Sequence, residues 1–215
     1  MNALYPDTSP VSSAGDLGGS LIVGVGGTFR AGSTSEQALR YALREAAAAG
    51  AATLLLSAAD LQLPLYQPDA THRTPAALRL VDALRRADGV IIASPSYHGG
   101  VSGLVKNALD YAEDLSPYAE HRGPGARPYL DGRAFGCIAT GAGWQAPVAT
   151  LGQLRSIGHA LRAWPTPLGV VMNSSQPCFT PDGAPVAPYD EQLARLAQHV
   201  VDFIRTRMAP VPMPG

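Results

Sequence analysis

Two stretches of this chain gather residues able to hold a flat, partly anionic ligand. The longer is Ser94-Pro95-Ser96-Tyr97-His98-Gly99-Gly100-Val101-Ser102-Gly103-Leu104-Val105-Lys106-Asn107-Ala108-Leu109-Asp110. Gly99 and Gly100 let the backbone turn without Cβ clashes and approach a ligand closely, and Tyr97 and His98 supply two planar side chains. Ser102 is placed to cap a helix, so loose N–H groups and a positive helix end face one spot. Pro95 fixes its own φ and is expected to stop the preceding strand sharply. Together these groups suit a planar, electron-accepting, partly anionic ligand.

The second stretch is Gly27-Thr28-Phe29-Arg30-Ala31-Gly32-Ser33-Thr34-Ser35. It is no dinucleotide fingerprint, because Phe29 stands where a third glycine belongs, and no G-K-[ST] triplet exists for a P-loop. It offers hydroxyls at Thr28, Ser33, Thr34 and Ser35, a guanidinium at Arg30, and a helix start. Such groups match a terminal phosphate, with its three acceptor oxygens. A pyrophosphate needs glycines for close backbone approach, so the loop favours a mononucleotide over NAD. In the plainer reading the same hydroxyls are ordinary helix caps.

Other chemistry is poorly supplied. His98 has no metal-spaced companion, since His72, His121, His159 and His199 are scattered; no metal site is expected. No nucleophile motif occurs, and Ser102 with Lys106 does not fit S-x-x-K. No side chain is therefore assigned as catalytic. Lys106, the single lysine among sixteen Lys+Arg residues, stands four before Asp110 and reads as an ion-pair partner. Trp144 either lines a pocket or is structural.

These loops need elements to place them. Buried strands are expected at 20–26, 52–56, 89–93, 134–140 and 168–172, each a short apolar run. Helices are expected at 35–49, from Pro75 with Leu78, Val81 and Leu84 inward, at 102–115, at 148–163, and at the end with Leu193, Leu196, Ala197, Val200 and Ile204 as a stripe. The segment 61–66 reads as an extended excursion and 116–132 as irregular. Five buried strands alternating with helices predict an α/β doubly wound parallel sheet with helices on both faces. Its glycine-rich loops, after strands one, three and four, would gather at one end. The helix at 102–115 is apolar on two sides, Leu104, Ala108 and Leu115 on one and Val105, Leu109 and Ala112 on the other. That predicts a two-fold partner through this helix.

With 215 residues, the chain reads as one domain at 20–208, between a disordered leader at 1–19 and a loose Pro-rich tail at 209–215. A net charge of -1 gives no reason to expect nucleic acid or an anionic membrane as partner. No apolar run approaches membrane-spanning length, no secretory signal is apparent, and two distant cysteines fit a cytoplasmic protein.

Over about residues 20–175 the sequence resembles the NAD(P)H-dependent FMN reductases of the flavodoxin-like superfamily. The strongest part is the run from Pro95 to Asp110; Thr28, Arg30, Ser33 and Ser35 match the first loop, and Leu63-Pro64-Leu65-Tyr66 a motif after the second strand. Thr140-Gly141-Ala142-Gly143 matches the third loop loosely, and Trp144-Gln145 and the long 116–132 connection depart from the pattern. The resemblance implies a flavodoxin-like five-stranded sheet. It implies that Thr28, Arg30, Ser33 and Ser35 hold the FMN phosphate. Pro95, Ser96, Tyr97, His98 and Gly99 would flank the isoalloxazine, and Thr140, Gly141 and Gly143 would close its other side. The expected activity is hydride transfer from NADPH or NADH, a transient donor, to FMN and on to free flavin, a quinone-like acceptor or a flavin-dependent monooxygenase. A homodimer or homotetramer through 102–115 is implied. The rival readings are a specialised-metabolism flavin enzyme acting on one organic substrate, and a non-enzymatic electron carrier.

Overall fold

The computed structural model describes residues 17, 19–118 and 127–208. Its centre is one sheet built from β1 (Leu21–Gly26), β2 (Ala52–Ser57), β3 (Gly89–Tyr97), β4 (Gly100–Val101), β5 (Ala134–Gly141), β6 (Trp164–Pro165) and β7 (Val170–Asn173). The order is β2-β1-β3-β5-β6, with β7 also paired to β5 and β4 to β3. All pairings are parallel except the short β3–β4 hairpin. This is the flavodoxin-like strand order.

Residue alternation along the strands sorts the core into two layers. Val23, Val25, Val90 and Ile92 pack with α2 (Pro75–Arg86), α3 (Gly103–Asp110) and α4 (Gln145–Ala160). Ile22, Ile91 and Ile138 pack with α1 (Thr34–Ala48) and α5 (Tyr189–Met208). Helices thus cover both faces, which explains why the strand sequences are almost continuously apolar. Hydroxyl caps set the helix starts: Ser33 Oγ accepts from the Glu36 N–H, Thr74 Oγ1 from that of Ala77, and Ser102 Oγ from that of Val105.

Several expectations need correction. The strand at 89 does not stop at Pro95: β3 runs on to Tyr97, with Pro95 in register with Thr140 of β5. On the other side β1 has ended at the Gly26–Ala93 pair. The missing proline N–H therefore leaves no ladder bond unmade on that side. The fifth strand is two pieces, β6 beside the start of β5 and β7 beside its end, with Pro167 in the gap between them. In α2 the inward residues are Ala77, Leu80, Ala83 and Leu84, while Leu78 is 56% exposed. The helix expected at 148–163 is α4, three residues earlier at each end. The helix expected to reach 115 is α3 followed by a 3-10 turn at Tyr111–Leu115. Of its two apolar stripes, Val105, Ala108, Leu109, Ala112 and Leu115 are buried within the chain itself, and Leu104 is partly buried. The stripes therefore need no second copy to cover them. The leader and tail fall mostly outside the described residues, but Leu17, counted in the leader, is 0% exposed and packs in the α1–α5 layer.

Candidate active site

The first loop leaves β1 through Gly26, whose φ is +152° and whose Cβ, if it had one, would lie 2.0 Å from the Ala93 carbonyl oxygen. Only glycine lets β1 and β3 come that close at their ends. Gly27 N–H then donates to Ala93 O at 3.1 Å. Thr28 closes a small turn on itself: its Oγ1 accepts from the Arg30 N–H at 3.0 Å and donates to Arg30 O at 3.1 Å. Arg30 is left exposed at the loop's tip. Ser33 caps α1, and its hydroxyl lies 3.4 Å from that of Ser35, which is only 1% exposed.

Sequence reasoning missed Glu36. Its buried carboxylate accepts from the Gly32 N–H at 3.2 Å and pairs with Arg40, whose Nε lies 2.9 Å away. The signal was present as Ser33-x-x-Glu36, the capping-box spacing. Here the acid reaches one residue further back, so it braces the first loop itself.

The second loop is tighter than expected. Ser96 pairs with Val101 and Tyr97 with Gly100, leaving His98 and Gly99 as a two-residue hairpin turn. Both have positive φ, +54° and +79°, as a type I′ turn requires. Gln153 of α4 fastens the turn, donating to Gly99 O at 3.0 Å and accepting from the Val101 N–H at 3.2 Å. Beneath it Ser94 Oγ donates to Pro95 O at 2.8 Å and accepts from the Ser102 N–H at 3.0 Å. Tyr97 and His98 project outward, exposed.

The third loop follows β5. Thr140 is buried, in register with Pro95, so the second and third loops leave the sheet side by side. Gly143 N–H donates to Asn173 Oδ1 at 2.8 Å and to Ser175 Oγ at 3.0 Å. The Asn173 backbone N–H in turn donates to the Tyr189 hydroxyl oxygen at 3.1 Å. Trp144 stands exposed at the loop's end. Asn173, Ser175 and Gln153 carry no local sequence signal, because each acts on a loop at least thirty residues away.

The Leu63–Tyr66 excursion borders the same end. Asn107 of α3 accepts from the Tyr66 N–H at 2.9 Å and donates to Pro64 O at 2.9 Å. Tyr66 OH donates to Asp114 Oδ1 at 3.2 Å, and Arg73 grips both oxygens of that carboxylate at 2.8 Å. Arg73 also lies over the Tyr66 ring, 4.9 Å from its centre. Burial first, then the Asp114 charge, pushes the Tyr66 pKa up to about 12. Tyr66 thus keeps its proton at neutral pH and serves there as a hydrogen-bonded brace. Among the described residues no group of three or more His, Cys, Asp or Glu could hold a metal ion.

Residues 20–177 match the family described as NADPH-dependent FMN reductase. The chain belongs to that family. An NAD(P)H-dependent FMN reductase of Pseudomonas aeruginosa is 33% identical over 94 residues, 42% of this chain and 49% of the relative. A quinone reductase of Escherichia coli is 36% identical over 92 residues, 41% of this chain and 48% of the relative. The chain thus spans about half the length of the curated relatives it matches. Among solved structures, an NADH:FMN oxidoreductase in its apo form superposes with a TM-score of 0.65 at 23% identity, over 90% of this chain and 92% of that one. That likeness establishes the fold.

FMN, the group this family's description names, suits the residues present. At one end of the sheet the donor set holds a guanidinium, hydroxyls and a helix start for a phosphate. Beside it, Ser96 Oγ is buried with no hydrogen-bond partner, an oxygen left for a ligand to satisfy. Open space lies beyond Gly99 and Gly143, where no atom comes within 4 Å of an added Cβ. A mononucleotide carrying a flat ring fits that sequence of groups.

Proposed function

We propose that this protein is an NAD(P)H-dependent FMN oxidoreductase that reduces quinone-like or free-flavin acceptors. The observation that carries the reading is the meeting of three loops, 27–33, 97–100 and 140–144, at the carboxyl end of one parallel sheet. One of them ends in a helix start beside Arg30, and the other two offer exposed rings. Bound there, FMN would supply the redox chemistry, that of a carrier between a hydride donor and a small acceptor.

The chain's own work is to bind and orient. Thr28, Arg30, Ser33 and Ser35, with the first turn of α1, hold the phosphate. The rigid His98-Gly99 turn, with Pro95, Ser96 and Tyr97, flanks the ring on one side. Thr140, Gly141 and Gly143 flank it on the other, with the Gly143 backbone fixed by Asn173 and Ser175. Their N–H groups stabilise negative charge that builds on the ring. No acid–base dyad is needed. Exposed Phe29, Leu65, Tyr97 and Trp144 form an apolar rim against which a flat acceptor can lie. A cytoplasmic homodimer completes the reading, supported by the resemblance; a mass measurement in solution tests it.

The decisive experiment is to soak the purified protein in FMN, desalt it, and record its spectrum, then follow NAD(P)H oxidation with a quinone, an azo dye and free FMN. Retained flavin absorbance and acceptor-dependent turnover are expected. A colourless protein with no titratable FMN affinity overturns the reading.

A further inference from the structure

The opposite end of the sheet holds a second cleft, far from the loops above. About 250 Å³ in volume, it lies where α2 and α5 finish and where β3 and β5 begin. Five arginines line it, Arg85, Arg86, Arg127, Arg133 and Arg207, against one carboxylate, Asp88, which accepts from the Leu21 N–H at 2.9 Å. Arg85 and Arg86 share Asp82 as ion-pair partner. Among the described residues, no carboxylate pairs with Arg127, Arg133 or Arg207.

Arg133 is the unusual member. It is only 8% exposed, and its guanidinium donates to three backbone carbonyls: Ala87 O at 2.5 Å, Tyr129 O at 2.8 Å and Arg85 O at 2.8 Å. Among the described residues no carboxylate touches this buried cation, and Asp88 and Asp131 act on it only through space, so its desolvation is incompletely offset. Burial first, then the nearby Arg127 charge, lowers its pKa against the smaller opposing pull of Asp88 and Asp131. Arg207 and Arg127 both reach the space beside Gly132. A Cβ on Gly132 would lie 2.8 Å from Arg207 Nη2 and 3.6 Å from Arg127 Nη1. Helix ends attract cations, which accounts for Arg85, Arg86 and Arg207 in the last turns of α2 and α5. Arg133 arrives from a separate segment but serves the same helix end, since the Arg85 and Ala87 carbonyls it holds close α2; helix ends do not account for Arg127.

We propose that this cleft is a second binding site, for a small phosphate-class polyanion such as pyrophosphate or a phosphate monoester. Guanidinium forks match phosphate oxygens in pairs. The volume lies below the roughly 300–1,000 Å³ of sites for drug-sized ligands, which favours a compact anion over a whole nucleotide. The site is independent of the FMN reading.

Calorimetric titration with inorganic pyrophosphate, against sodium chloride at matched ionic strength, tests it. One site per chain is expected in the native protein. The expected affinity is at least tenfold weaker in Arg127→Gln/Arg207→Gln and unchanged in Arg30→Ala. Should the double variant not fold, each single variant must weaken binding. Absence of binding, equal binding by the variants, or loss with Arg30→Ala alone overturns the proposal. So does a single-stranded RNA oligomer that binds the same arginines more tightly than pyrophosphate.

Discussion

Arg30 carries the largest share of the phosphate reading because it is the one charged group of the set and stands exposed at the loop's tip, while Ser33 Oγ already accepts from the Glu36 N–H. A charge-assisted hydrogen bond contributes about 1.5–3 kcal/mol. Arg30→Ala is therefore expected to weaken FMN binding by that amount, read by fluorescence titration, and unchanged affinity would count against the cradle. Tyr66 makes a prediction of a different kind. Its pKa is raised from 10.0 to about 12 by burial and by Asp114. Between those values the unfolded chain has released the phenolic proton and the folded chain keeps it, so unfolding becomes easier as pH rises. The contribution is whole below pH 10 and gone as pH passes about 12. Stability of the native protein should fall more steeply across that window than that of Tyr66→Phe, measured by urea unfolding at several alkaline pH values.

At the scale of elements, the His98-Gly99 turn depends on a side chain from another helix. Gln153→Ala removes two hydrogen bonds from an exposed turn, about 0.5–1.5 kcal/mol each at most. The expected result is a small drop in urea midpoint with a larger loss of FMN affinity, since the turn's shape and not the core is released. Equal affinity in the variant would show that the turn holds itself. This coupling marks the border of what was legible beforehand. Gly89-Val90-Ile91-Ile92-Ala93 announces a strand because apolar, β-branched runs have few other uses, and Ser33 and Ser102 announce helix starts by type and place. Two-residue strands such as β4 and β6 leave no period to read, and Pro95 misled because a proline's effect depends on whether a neighbour strand is still alongside. The three loops were legible by composition. Their fasteners Gln153 and Asn173, and Asn107, which fastens the Leu63–Tyr66 excursion, were not, because a lone polar residue on a helix or strand end looks the same whether it meets water or a distant loop.

At the scale of the whole molecule, the sheet order decides where a ligand can sit. From β1 the chain moves outward to β2, and from β3 it moves the other way to β5. The two connections part between β1 and β3 and leave a crevice at their carboxyl ends, the position where open α/β sheets bind ligands. Gly26 stands at that parting. Its close approach to Ala93 O lets the first loop begin beside the hairpin instead of being pushed outward. Gly26→Ala must meet both the clash and the φ of +152°, so the two strand ends must separate. Unfavourable backbone geometry of this kind costs about 1–3 kcal/mol even without a clash. The variant should lose at least that much stability in urea unfolding and lose FMN affinity with it. A variant that kept full FMN affinity would mean that the crevice between β1 and β3 does not shape the site.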